Sequence, residues 1–427
     1  MLRGSAIVIG LAIPGFLTAC TGPAYVKTAY YGDLPTLKQQ IGSAAASGKI
    51  SKSDVVDLAE AVARREVRSA QGDDALRRVL ASRACVGAVE PELRERADVP
   101  DDAGAEALLV LAEAGKIDAR ALVAKYEQAP SGALRAVAAR GTGSPRYASL
   151  RRRYLVDPDE RVRAEALRAA ADAAAPSDLE SVLEAARLDP DPLCRTLAMR
   201  AAGRIGGERA SIALNDLWAN ADDTVKVAIV DAWAMPAVLE NGGRASLVRV
   251  AEQADSLAAV AAASALVRVG GDTASVGRAV LARAIRDGTS EERVAAIRLA
   301  PIDADVLASL DAAAASEDPD VRVAALSRSL DVPARRDGAR ARLQAMARSK
   351  DGAARQARLA LAGALDPSVA PLLVGDMSSG GPAARELAAL ALFRLGKPEK
   401  MAPSLADPDP AVRMSVACSL AADRGPT

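Results

Sequence analysis

Apolar side chains along this chain recur at three- and four-residue intervals over most of its length, the spacing of one face of an α-helix. In ERVRAEALRAAA (160–171) the stripe is Val162, Ala166, Leu167, Ala170 and Ala171; in DVRVAALSRSL (320–330) it is Val321, Ala325, Leu326, Ser329 and Leu330. The stripes open alike. DPDERVRAEALRAAA (157–171), DPDPLCRTLAMRAAG (189–203), EDPDVRVAALSRSL (317–330), KDGAARQARLALAGAL (350–365) and DPDPAVRMSVACSLAA (407–422) each place a cap-forming residue, a small or β-branched residue and a basic residue ahead of an Ala/Leu run. The basic residue serves as a register mark: Arg77, Arg135, Arg163, Arg195, Lys226, Arg293, Arg322, Arg355, Arg385 and Arg413, with Glu106 and Ala258 in that place in two degenerate units. Successive marks lie roughly 28 to 35 residues apart, the length of one stacking helical hairpin.

Four residues before the mark stand Asp73, Asp102, Ser131, Asp159, Asp191, Asp222, Thr289, Asp318, Asp351 and Asp409, all types whose side-chain oxygen caps a first helical turn. Ala254 and Gly381 are the exceptions. Gly206, Gly270 and Gly396 stand where a helix should stop. Segments such as SDLESVLEAARL (177–188) and RASLVRVAEQA (244–254) supply the other helix of each hairpin. A hairpin that cannot cover its own apolar side must shelter it against the next, so the pattern predicts an all-α stack with one long curved surface.

The recurring Asp-Pro-Asp-x-x-Val-Arg-x-x-Ala resembles HEAT repeats, in particular the short variety named after phycobilisome lyases, over about residues 70–422. The units are shorter than the common HEAT length, and those around Lys226 and Ala258 are weak. The Trp and Tyr marks of TPR units and the TPLH turn of ankyrin units are missing. The resemblance implies a right-handed α-solenoid of about 11–12 units whose second helices line the concave side. It also implies an Asp/Arg ladder from unit to unit, which Asp157/Arg163, Asp189/Arg195 and Asp407/Arg413 match, with Arg322, Arg355 and Arg385 in the arginine position. Five residues after the mark come Arg140, Arg168, Arg200, Asp231, Ala263, Arg298 and Ser327. On the implied concave side the four arginines would form a basic strip suited to an acidic segment of a partner protein. Residues 36–69 are also helical in pattern, with SDVVDLAEAVARREV (53–67) the clearest piece. GKI at 48–50 returns at 115–117, and the segment is expected to be a divergent N-terminal cap.

At the start, Met1-Leu2-Arg3 precedes the uncharged apolar run Ala6 to Leu17, a signal-peptide pattern. The run is shorter than the about 20 residues a span requires, and Gly10, Pro14 and Gly15 interrupt it. Leu17-Thr18-Ala19-Cys20 resembles the lipobox of bacterial lipoproteins. That implies removal of 1–19, a diacylglycerol on the Cys20 sulfur and an N-acyl chain, together enough for stable membrane anchoring. Thr21, where an aspartate would favour the inner membrane, makes the outer membrane the expected address, with the body in the periplasm. Residues 20–35 are expected to be a tether reaching at most about 45–50 Å.

Composition narrows the chemistry. Half of the 427 residues are apolar yet only 2% are aromatic, which fits a thin helix-on-helix core better than two or three compact domains. The formal net charge is zero, so nothing draws the chain to nucleic acid. Cys85, Cys194 and Cys418 are scattered and odd in number, and are expected to be small buried thiols rather than a disulfide framework. There is no histidine, which removes Ser-His-Asp and Cys-His catalysis and imidazole-held zinc. The DPD triplets are expected to cap helices rather than hold a metal, and no phosphate loop or nucleophile elbow occurs, so no cofactor is expected. Trp233 falls on a stripe and is expected in the core; Trp218, Tyr30 and Tyr31 are weaker candidates for partner contact. The reading is a non-enzymatic, lipid-anchored scaffold that binds another protein along its concave face. The alternatives are a structural subunit of an envelope assembly and, behind it, a histidine-independent murein-acting enzyme.

Overall fold

The computed structural model describes residues 23–69, 83–253, 256–349 and 352–421. The signal-peptide, Cys20, Asp73, Arg77, Ala254 and Asp351 assignments lie outside the described residues. Among the described residues there are helices, turns and no strand, as the helical spacing requires. Among the described residues the first helices are α1 (Ala24–Tyr31), α2 (Leu34–Ala46), α3 (Lys52–Ser69) and α4 (Arg83–Ala97). The second helices of successive hairpins are then α5 (Asp102–Glu113), α6 (Gly132–Arg140), α7 (Glu160–Ala173), α8 (Pro192–Ile205), α9 (Asp223–Trp233), α10 (Leu257–Val269), α11 (Ser290–Leu299), α12 (Pro319–Ser329), α13 (Ala354–Gly363), α14 (Pro382–Arg394) and α15 (Pro410–Ala421). First helices, such as Leu179–Leu188 and Ala304–Ala314, alternate with them.

Local chemistry sets the helix ends. Asp159, Asp191, Asp222 and Asp318 accept hydrogen bonds from first-turn N–H groups, and Thr289 forms a reciprocal capping box with Glu292. At α5 the cap is Asp101, one residue before the expected Asp102, and at α6 the Ser131 hydroxyl turns instead to Asp102. The core is built largely from alanine: Ala166, Ala170, Ala198, Ala202, Ala232 and Ala262 are all inaccessible. One methyl per residue contributes little burial energy, so the helices must approach closely and the contact must repeat many times. Gly203 shows how close: a Cβ there would lie 2.7 Å from Met235 Sδ and 2.9 Å from Ala232 Cα of the next unit.

The ladder runs from the arginine of one unit to the aspartate of the next. Arg135 meets Asp157 with a 2.9 Å ion pair, Arg163 reaches Asp189 at 2.8 Å and Arg385 reaches Asp407 at 2.7 Å. Each guanidinium also donates to carbonyls of its own hairpin turn, as Arg163 does to Asp157 O and Pro158 O and Arg195 to Asp189 O and Pro190 O. A guanidinium can do both because its N–H groups point in several directions from one plane. The rungs thin out elsewhere. Arg195 reaches only to 4.0 Å from Asp222, Arg322 bonds to Ser316 O, and Arg355 is exposed.

The two ends of the stack meet. Each second helix packs on its neighbours from α5 to α15, and α15 packs in turn on α3 and α4, with α3 on α4 and α4 on α5. The circuit of helices is therefore closed. Arg413, the last rung, donates to both oxygens of Glu66 at 2.8 and 2.9 Å, across 347 residues of sequence. Glu66 lies near the end of α3 and Arg413 near the start of α15, so these two helices run antiparallel. Beside them Cys85 and Cys418 form a disulfide spanning 333 residues.

Three expectations are corrected by this closure. Cys85 and Cys418 are bonded rather than free; only Cys194 is the buried thiol expected, and the pairing was hidden because only the closed circuit brings α4 to α15. Residues 36–69 do not cap an open end; they seal the last unit to the first. Within the expected tether, residues 24–31 form α1 instead. It packs on α3 with Tyr25 and Ala29 buried and the Arg68 guanidinium 4.2 Å over the Tyr30 ring, and it is tied to α4 by Tyr30 Oη donating to Glu92 at 3.2 Å.

Candidate binding groove on the inner face

The second helices α11, α12 and α13 line a cavity of about 1180 Å³, completed by Leu257 at the start of α10 and by Arg336 and Arg340 of the intervening first helix. Its floor is small: Ala295, Ala324, Ala360 and Gly363, with Val294, Val323 and Leu359 beside them. A Cβ added to Gly363 would meet nothing within 4 Å, so that position faces open space. The register is the one expected of a concave face, since Arg298, Ser327 and Ala360, each five residues after its mark, all line the cavity.

Charge is divided along the groove. Glu291 and Asp320 sit in first turns at one end, while Arg298, Arg328, Arg336 and Arg340 gather where the helices finish. Asp331, also at the basic end, is taken up by Arg328 at 2.9 Å. Arg336 donates to Leu330 O at 2.9 Å and Arg340 lies 3.7 Å from Asp366. That end carries an excess of positive charge, with Arg298 exposed on it and Leu365 beside it.

The four arginines expected to share one strip separate into two environments. Arg298 is in the groove and Arg200 is exposed on α8. Arg140 and Arg168 converge instead on Glu165, a buried carboxylate: Arg168 ion-pairs with it, Arg140 Nε lies 3.8 Å away, and Arg140 pairs with Asp172 at 2.6 Å. Burial pushes the Glu165 carboxyl above its ordinary range despite Arg168 and Arg140, with Glu113 adding to the rise. Carboxylates absorb the two cations, so the strip is not continuous. The cue was Glu165 itself, two residues after the Arg163 mark and on the same face as Arg168.

Sequence reasoning also passed over Arg151 and Asp178. Both are inaccessible, and Arg151 Nε donates to Asp178 Oδ2 at 2.7 Å while its other nitrogens close on the same carboxylate and on Thr142 O and Ser144 O. The pair ties the turn after α6 to the hairpin that follows. Trp233 is fully buried, and Trp218 packs on it at 5.2 Å between ring centroids, so the pair serves the core. Among the described residues no group of three or more potential metal ligands comes together.

Residues 147–235, which include α7, α8 and α9, match the HEAT repeats family. The matched stretch is about a fifth of the chain. Stacked helical hairpins, an all-α solenoid, continue through the units on either side of the matched stretch. An engineered protein whose crystal structure was solved by the Northeast Structural Genomics Consortium aligns over 94% of this chain and 98% of its own, at 18% identity and a TM-score of 0.26, a likeness too loose to carry an argument. The comparison with curated proteins gives no match.

Proposed function

We propose that this HEAT-like protein is a lipid-anchored scaffold of the bacterial envelope that holds a segment of another protein on its inner face, without catalysis. The groove of about 1180 Å³ carries the reading. It is larger than the about 300–1,000 Å³ usual for small-molecule pockets, and it is lined by repeated small side chains with charges at its ends. Such a surface admits a polypeptide. A HEAT-like scaffold fits a protein-interaction role.

Two observations support the envelope address. The Leu17-Thr18-Ala19-Cys20 stretch resembles a lipobox, and the Cys85–Cys418 disulfide suits an oxidising compartment. With Cys20 lipidated, the few residues before α1 would hold the body within about 15 Å of the bilayer. The outer membrane is the proposed location, since Thr21 follows the cysteine.

The test is cross-linking of the full chain in its native envelope, with Ala324→Arg as the variant that fills the groove floor and Cys20→Ser as the variant that removes the anchor. The expected result is one protein cross-linked to the parent chain and lost with Ala324→Arg, and release of the Cys20→Ser chain from membranes. A cross-linked protein indifferent to Ala324→Arg overturns the groove assignment. A Cys20 that carries no lipid by mass spectrometry overturns the anchor.

A further inference from the structure

Leu365 has a backbone that leucine rarely adopts. Its φ is 58°, in the left-handed region where a side-chain-bearing residue is strained by its Cβ. The residue closes α13: Leu365 N–H donates to Ala362 O at 3.0 Å and Asp366 N–H to Leu361 O at 2.9 Å. That is the paired-bond helix stop known as the Schellman motif, in which glycine normally holds the left-handed position. The same pair of bonds recurs at Gly48, Gly115 and Gly396, with φ of 65°, 69° and 68°. Three of these stops use glycine, and one uses leucine.

Packing does not offset the strain, because the Leu365 side chain is 66% exposed. The loop does not relax it either. Asp366 is fixed on both sides, accepting from Ser368 N–H at 3.0 Å and from Gln344 Nε2 at 2.7 Å. A strained, exposed, apolar residue that the fold does not need points to something outside the fold. Leu365 lines the basic end of the inner groove, with Arg298, Arg336 and Arg340 around the same opening.

We propose that Leu365 is the apolar anchor of the groove and that the occupant is an acidic peptide segment of the partner protein. It would set a hydrophobic side chain against Leu365 and Leu359 and place neighbouring carboxylates on the Arg298 side. The alanine and glycine floor lets the peptide backbone approach closely. This rests on the scaffold reading above and gives the partner segment its chemistry.

The experiment uses the full chain. Twelve-residue peptides are selected on it from a random phage-displayed library, synthesised, and their affinity measured for the parent, Leu365→Gly, Arg298→Glu and, as a control away from the groove, Val156→Ser. The expected peptides combine a large apolar residue with Asp or Glu. Leu365→Gly should weaken them by about tenfold or more, the loss expected when a leucine contact disappears. It should also raise the unfolding midpoint, because glycine relieves the strain; a merely structural leucine would lower it. Arg298→Glu should weaken them and Val156→Ser should not. No selected peptide, peptides that are basic or indifferent to Leu365→Gly, or a lower unfolding midpoint for that variant would each overturn the proposal. If the envelope cross-link survives Leu365→Gly but not Ala324→Arg, the scaffold reading stands and the anchor role alone fails.

Discussion

The seam between α3, α4 and α15 is the feature whose removal has the largest calculable consequence. In the chain-entropy account, bridging residues 333 apart in sequence removes loop freedom from the unfolded chain worth about 6 kcal/mol at 25 °C, although native bridges commonly measure about 2–5 kcal/mol. A solenoid unit touches only its neighbours, so an open stack frays from its ends, whereas a closed one has no free end. Replacing Cys85 and Cys418 by serine should therefore lower the urea midpoint by the equivalent of about 2–5 kcal/mol and concentrate the loss at the seam. The assay is far-UV circular dichroism in urea for the parent chain, the reduced parent and the double-serine variant, with native-state hydrogen exchange followed in α3 and α15. The reduced parent and the variant should coincide below the oxidised parent, with exchange rising first in those two helices. Superimposable urea curves, or exchange that rises evenly around the circuit, would refute the reasoning.

Glu66 and Arg413 are only 7% and 8% exposed and share two hydrogen bonds, so Glu66→Ala and Arg413→Ala should each cost about 3–5 kcal/mol, while the double variant costs less than their sum because neither charge is left alone; additive losses would exclude that coupling. Burial works to raise the Asp407 carboxyl, but the Arg385 guanidinium and the Asp409 N–H outweigh it and hold it below its ordinary 3.8. The stability it supplies is therefore complete above that ordinary value and lost as pH falls below it, so Asp407→Asn should flatten the acid limb of a stability–pH profile; an unchanged limb would contradict this. Burial pushes the Cys194 thiol up to about 12, so iodoacetamide at pH 8 should leave it unmodified in the folded chain and label it once urea unfolds the protein; rapid labelling of the folded chain would show the site to be open.

The hairpins, their caps and their stripes were legible in the sequence because each depends on residues within one or two turns of each other. Asp159, Asp191, Asp222, Thr289 and Asp318 cap where the spacing placed them, and Gly206, Gly270 and Gly396 take a positive φ at the expected stops. The concave register was legible in the same way, since a face is a matter of helical period, and Arg298 and Ser327 fall in the groove accordingly. What neutralises Arg140 was not. Glu165 meets Arg168 within α7, a spacing visible in the sequence, but only the approach of α6 to α7 brings Arg140 to it.

Leu365 marks the limit of local reading. In sequence it is one more leucine of the run 350–365, and its left-handed backbone follows from Asp366 being held by Gln344 and by the turn beyond. The closure belongs to the same class. By itself the sequence determined that helical hairpins form and that each stacks on the next, because that information repeats in every unit. Only the tertiary structure decided that the accumulated rotation from unit to unit brings the last hairpin back to the first. Small angles summed over many interfaces set that outcome, and no single unit encodes it. Glu66 with Arg413 and Cys85 with Cys418 meet as its consequence.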